Sequence, residues 1–201
     1  MHNSQQVEVS VFQKAKRGNY YCGDSYFYEE QGGTFICALA DGLGSGEYAK
    51  ESSQIVVDTI KENSDIPIKT LLHKCNQKLI GKRGVVLGIL QIDLMKMKYY
   101  YSSIGNIGLM TITPNSIRKR NIPQPGYLSG YDRPFKVLTG TVEQDMIFMM
   151  FSDGITAKEV SNPHFLHREV QHITDTFSYL YQQKLDDDAT LIAMKYTKET
   201  S

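Results

Sequence analysis

Two apolar runs, each closed by Asp-Gly, constrain this chain more than any other feature of it. Thr34-Phe35-Ile36-Cys37-Ala38-Leu39-Ala40 leads into Asp41-Gly42, and Met146-Ile147-Phe148-Met149-Met150-Phe151-Ser152 leads into Asp153-Gly154. Runs of this length, rich in β-branched and aromatic residues and bounded by glycine, read as interior strands. A carboxylate at the mouth of such a strand is held by a rigid scaffold and still reaches solvent. The triplet Asp186-Asp187-Asp188 opens a third run, Ala189-Thr190-Leu191-Ile192-Ala193-Met194, and Gly23-Asp24 precedes Ser25-Tyr26-Phe27-Tyr28. Carboxylates gathered at one end of a fold raise one another's pKa unless a cation sits between them. Asp-Gly taken singly is a common turn dipeptide; two such pairs with an acidic cluster favour a metal site. Oxygen ligands without His or Cys suit Mg²⁺ or Mn²⁺ rather than Zn²⁺.

The 201 residues fit a single domain over 1–201, with no linker, repeat or low-complexity tract. Lys and Arg number 22 and Asp and Glu 22, so no general field draws the chain to nucleic acid or membrane. Arg118-Lys119-Arg120 reads as a solvated turn or edge. The opening Met1-His2-Asn3-Ser4-Gln5-Gln6 is polar, which predicts no signal peptide. No apolar stretch approaches the ~20 residues a bilayer requires. Cys22, Cys37 and Cys75 are odd in number and widely spaced, excluding a disulfide framework or Cys-based zinc site and predicting a cytoplasmic protein.

Val7, Val9 and Val11 alternate in an opening strand. Residues 25–30 and 34–40 flank the hairpin turn Gln31-Gly32-Gly33. Helical patterns cover 46–63 and 67–82, strands are expected at 84–94 and 98–112, and a late helix at 164–184. His164-x-x-His167 lacks a third-ligand pattern, and the Gly42–Gly46 stretch lacks the Gly-Lys-Ser/Thr ending of a P-loop.

Gly23-Asp24, Ala40-Asp41-Gly42-Leu43-Gly44-Ser45-Gly46, Gly105-Asn106, Ser152-Asp153-Gly154 and Asp187-Asp188-Ala189-Thr190 follow the order seen in metal-dependent PPM-type protein serine/threonine phosphatases. Within that family the chain resembles the compact bacterial branch that includes SpoIIE and the stressosome phosphatases. The resemblance runs from about Val7 to Tyr196. It implies an α+β fold, an αββα sandwich of two packed, mostly antiparallel sheets flanked by helices.

The resemblance also implies a reaction: hydrolysis of phosphoserine or phosphothreonine with two divalent cations, Mn²⁺ preferred or Mg²⁺. Asp41 would be shared by both ions and the Gly42 carbonyl would bind one. Asp153 and Asp187 would complete the other, with Asp186 and Asp188 as solvated neighbours. Asp24 would be either a direct ligand or an acceptor orienting bound water. Four departures stand out, the first three being Gly23 where many relatives carry Glu, Leu43 where they carry His, and Asn19 near where a phosphate-binding Arg falls, with Arg17 as substitute. Asn106 replaces an Asp that binds a third ion in many relatives. The implied substrates are phosphorylated STAS-domain stressosome proteins, and the implied role is a monomeric negative regulator of the general stress response through sigma-B. Tyr127 and Leu128, on a Pro- and Gly-rich loop over 122–134, are candidate anchors for the protein substrate. The rival reading is a non-catalytic module that docks phosphoproteins.

Overall fold

The computed structural model describes residues 5–161, 169–181 and 187–197. In chain order these form β1 (Val7–Lys14), β2 (Asp24–Gln31), β3 (Thr34–Gly42), α1 (Glu47–Lys61), α2 (Ile68–Lys78), β4 (Val85–Asp93) and β5 (Lys98–Ile104). There follow β6 (Gly108–Ile112), β7 (Arg118–Arg120), β8 (Leu138–Thr141), β9 (Ile147–Phe151), α3 (Ala157–Val160), α4 (Val170–Tyr181) and β10 (Ala189–Tyr196). One sheet runs β1-β10-β9-β6-β7 and the other β2-β3-β4-β5-β8. Every pair of neighbouring strands is antiparallel. The sheets stack face to face with helices outside, which is the expected αββα sandwich.

The period-two alternation of β3 explains why its run is apolar throughout. Phe35, Cys37 and Leu39 enter the core between the sheets, against Phe148, Met150, Ile192 and Met194. Ile36, Ala38 and Ala40 face outward onto a second core supplied by α1 and α2. Val56 and Ile60 of α1 and Leu71, Leu72 and Cys75 of α2 fill it at helical spacing. Ile173 and Phe177 of α4 cover the other sheet, against Met149, Leu191 and Ala193. Each such aliphatic or aromatic side chain contributes about 1.5–3 kcal/mol on full burial.

Two element boundaries differ from the sequence expectation. Residues 98–112 form two strands, because the chain breaks at Gly105, with φ of 92°, and crosses from one sheet to the other. The second helix ends at Lys78, short of 82, and the chain turns through Gly81 at φ 75°. Of the expected late helix, α4 lies within the span, while 164–168 and 182–184 fall outside the described residues. Arg118-Lys119-Arg120 is the edge strand β7. No helix among the described residues is long and apolar enough to cross a membrane.

The loop over 122–134 has no regular structure but is firmly tied. Asn76 of α2 donates to the Tyr131 carbonyl at 2.6 Å and accepts from the Ser129 and Gly130 amides. Arg133 donates to the carbonyls of Pro125 and Tyr127.

Candidate metal centre

Asp24 and Asp41 are direct cross-strand partners at the shared end of β2 and β3. Like charges set opposite each other destabilise a sheet, so their retention points to a requirement other than folding. From the facing sheet, Asp153 directly follows the Phe151-Ser152 end of β9, and Asp187 and Asp188 directly precede β10, the strand paired with β9. Burial pushes the Asp41 carboxyl up to about 8, reinforced by the charges of Asp24, Asp153, Asp187 and Asp188. Asp153 is raised too, by burial and then by Asp187. The sandwich thus places Asp24, Asp41, Asp153 and Asp187 at one end of the two facing sheets, from four separate segments.

Asp24 is the most confined of them, at 1% exposure. Its Oδ2 accepts the Ser152 hydroxyl at 2.8 Å and the Thr190 hydroxyl at 2.6 Å. Its Oδ1 is buried with no hydrogen-bond partner among the described residues. Burial pushes its pKa up to about 6, against the pull of the two hydroxyls. Helix α1 fixes the backbone around it. Ser53 donates to the Gly23 carbonyl at 2.6 Å, and the Lys50 ammonium donates to the Asp24 carbonyl and Ser25 hydroxyl at 2.9 Å.

Asp188 corrects the sequence expectation of a solvated neighbour. It is buried, and its carboxylate accepts the Lys16 amide and the Gly23 amide, both at 2.7 Å. It therefore clamps the β1–β2 connection beside the site. A Cβ on Gly23 would sit 3.0 Å from Asp188 Oδ2, so the clamp leaves little room for a side chain at Gly23. Asp186 lies outside the described residues. Asp187 is exposed and accepts the Asp188 amide, and Asp153 accepts the Asn106 side-chain amide at 2.7 Å.

The two Asp-Gly glycines are required by close approach, since neither has positive φ. A Cβ on Gly42 would lie 2.0 Å from the Ala49 carbonyl oxygen of α1, and one on Gly154 would lie 2.1 Å from the Asp188 carbonyl oxygen. Each glycine thus lets a second segment press against the residue that follows a site carboxylate.

The substrate-binding candidates divide. Tyr127 is 49% exposed and lies over Gly84 beside Leu43. Leu128 is fully buried in the core under α1 and α2, with its amide and carbonyl both bonded to Val85. It is a packing residue, because a side chain with no exposed surface has nothing to offer a substrate. Arg17 is exposed on the turn between β1 and β2. Ser152, Thr190 and Asp188 were missed as contributors, although all three lie inside the motifs that drew attention to their neighbours.

The donor set fits a hard divalent cation: carboxylates and a backbone carbonyl, with one buried carboxylate oxygen unsatisfied. Among the described residues, no group of three or more His, Cys, Asp and Glu side chains is already placed to hold a metal ion.

Residues 31–197 match the profile of the family described as Stage II sporulation protein E (SpoIIE). The chain is 30% identical over 192 residues to the phosphoserine phosphatase RsbX of Bacillus subtilis (strain 168), covering 96% of each. It is similar, at TM-score 0.90 and 30% identity, to the crystal structure of RsbX in complex with magnesium, over 96% of this chain and 97% of that one. A structure of the bacterial stressosome system matches at TM-score 0.83 and 23% identity, over 94% and 100% of the two chains. The catalytic domain of the serine threonine protein phosphatase PstP, in complex with 2 manganese ions, matches at TM-score 0.81 and 13% identity, over 96% and 99%. These last two likenesses bear on the fold alone. The chain therefore belongs to the SpoIIE family of PPM-type phosphatases.

Proposed function

We propose that this chain, acting as one domain, hydrolyses phosphoserine or phosphothreonine on STAS-domain stressosome proteins in the bacterial cytoplasm. Its role would be to restrain the general stress response through sigma-B. The observation that carries the reading is the set of carboxylates on facing strand ends, with Asp24 opposite Asp41 and one oxygen of Asp24 unsatisfied. A pure docking surface has no use for such a costly arrangement of like charges. The likeness to RsbX, a phosphoserine phosphatase, supports the substrate class.

Asp41, Asp153, Asp187 and the Gly42 carbonyl would hold two divalent ions, Mn²⁺ in preference to Mg²⁺. When bound, the ions supply positive charge that offsets the phosphate dianion and permits a strong oxygen nucleophile at neutral pH. The remaining work falls to the chain. Ser152 and Thr190 fix Asp24 as an acceptor of set orientation, Asn106 fixes Asp153, and α1 holds the Gly42 edge in place. Such supporting contacts orient ligands and raise their affinity.

The test is phosphate release from serine-phosphorylated STAS-domain protein. Release that stops in chelator and returns with Mn²⁺ is expected. Binding of the phosphoprotein without release under any divalent metal would favour the docking module instead.

A further inference from the structure

The loop over 43–46 that follows Asp41-Gly42 carries an arginine from outside it. Arg83, just before β4, donates from Nη1 to the Leu43 carbonyl at 3.3 Å. Its guanidinium lies 5.7 Å from the centroid of the Tyr48 ring, at the start of α1. It rests in the space left by Gly44, where a Cβ would be 2.2 Å from Nη1. Gly44 holds φ at 98°, a value that favours glycine for a second reason. The arginine is thus seated by its neighbours, yet it remains exposed and has no ion pair among the described residues. A guanidinium held over an aromatic ring with donors to spare is well prepared for a carboxylate.

The strand register decides which anion it meets. Asp41 pairs with Val86 and Gly42 with Val85. Val86 belongs to the core between the sheets and Val85 to the core under the helices. Arg83, two residues before β4, lies on the helix side through its contact with Tyr48 of α1, whereas the Asp41 carboxylate shares the intersheet side with Val86. Arg83 therefore stands beside the metal centre, on its helix edge, separated from the carboxylates by the strand backbone. Leu43 and Tyr127 meet over Gly84.

We propose that Arg83 is a specificity-determining residue that receives an acidic side chain flanking the phosphorylated residue of the protein substrate. The proposal rests on the phosphatase reading above and names the sequence context that reading leaves open. The occupant is an acidic phosphopeptide, because Arg83 is an exposed cation without an ion pair among the described residues.

The experiment uses phosphoserine peptides with Glu, Gln or Lys on either side of the phosphoserine, with p-nitrophenyl phosphate as a substrate that has no flanking residue. Wild-type protein should favour a Glu peptide by about 3- to 10-fold in kcat/KM. Arg83→Ala should erase that preference, Arg83→Lys should retain part of it, and Arg83→Glu should shift it toward a Lys-flanked peptide. Hydrolysis of p-nitrophenyl phosphate should stay unchanged in all three. A wild-type protein indifferent to the flanking charge, or an undiminished preference in Arg83→Ala, would overturn the proposal. Equal losses on peptide and p-nitrophenyl phosphate would do the same, assigning Arg83 to holding the 43–46 loop. Fluorescence anisotropy on the same peptides reads the preference without turnover. If no phosphomonoester is hydrolysed, the phosphatase reading fails while charge-selective binding still stands or falls alone.

Discussion

Thr190 reaches from β10 across the sandwich and donates its hydroxyl to Asp24 Oδ2 at 2.6 Å. Its neighbour Ser152 donates to the same oxygen and accepts the Thr190 amide at 2.9 Å, so one buried carboxylate oxygen locks two sheets together. Thr190→Val keeps the shape and removes one donor. It should destabilise the protein by about 1–3 kcal/mol in urea unfolding at pH 7, while Thr190→Ser stays close to wild type. A Val variant of full stability would remove this bond from the account.

The metal-free protein should lose stability as pH rises. Burial holds Asp24 up to about 6, and burial with neighbouring carboxylates holds Asp41 up to about 8. Both bind protons more tightly folded than unfolded, so their contribution is complete below the ordinary carboxylate range, about 4. It is lost as pH passes through about 6 and then about 8. Melting temperature in chelator should therefore fall between those values, and Mn²⁺ should reverse the fall. Asp41→Asn should flatten the upper part of the slope. A melting temperature that rises over this window would contradict the assignment.

Gly42→Ala tests the contact that joins α1 to the site. The new methyl group would meet backbone at 2.0 Å, so the start of α1 must move. A loss of about 1–3 kcal/mol is expected, together with weaker Mn²⁺ binding by titration calorimetry. Unchanged stability and affinity would mean that α1 does not support the Gly42 edge.

Tyr127 tests where protein recognition resides. Truncation to Ala should lower kcat/KM on phosphorylated protein by about 10-fold, or roughly 1.4 kcal/mol. A small aryl phosphate should be turned over as before. Equal losses on both, or a lowered melting temperature, would assign the ring to its packing over Gly84.

The sandwich and its carboxylates were legible because strand burial leaves a mark at every second residue. The apolar runs of β3 and β9 declare both faces covered, and Asp at their ends declares an exit to solvent. The Gly105 break was not legible, because Tyr99 to Ile112 keeps a strand-like pattern while it changes sheets. Asp188 was misread because a carboxylate bound to the Lys16 and Gly23 amides depends on partners more than 160 residues away in sequence. Leu128 was misread for a related reason: Pro and Gly around it signal a loop, and only the pairing with Val85 places its side chain inside. Arg83 gave no local signal at all, since its seat is built from Leu43, Gly44 and Tyr48.

Asp41, Asp153 and Asp187 are proposed to form one metal-dependent catalytic centre. Its most direct test is Mn²⁺-dependent phosphate release from a serine-phosphorylated protein by wild type and by Asp41→Asn, Asp153→Asn and Asp187→Asn. Each variant is first shown to keep the native circular dichroism spectrum. Metal-dependent turnover is expected of the wild type, with a loss of at least ~100-fold in each variant. Full turnover in chelator, or wild-type turnover in any of the three folded variants, would contradict it.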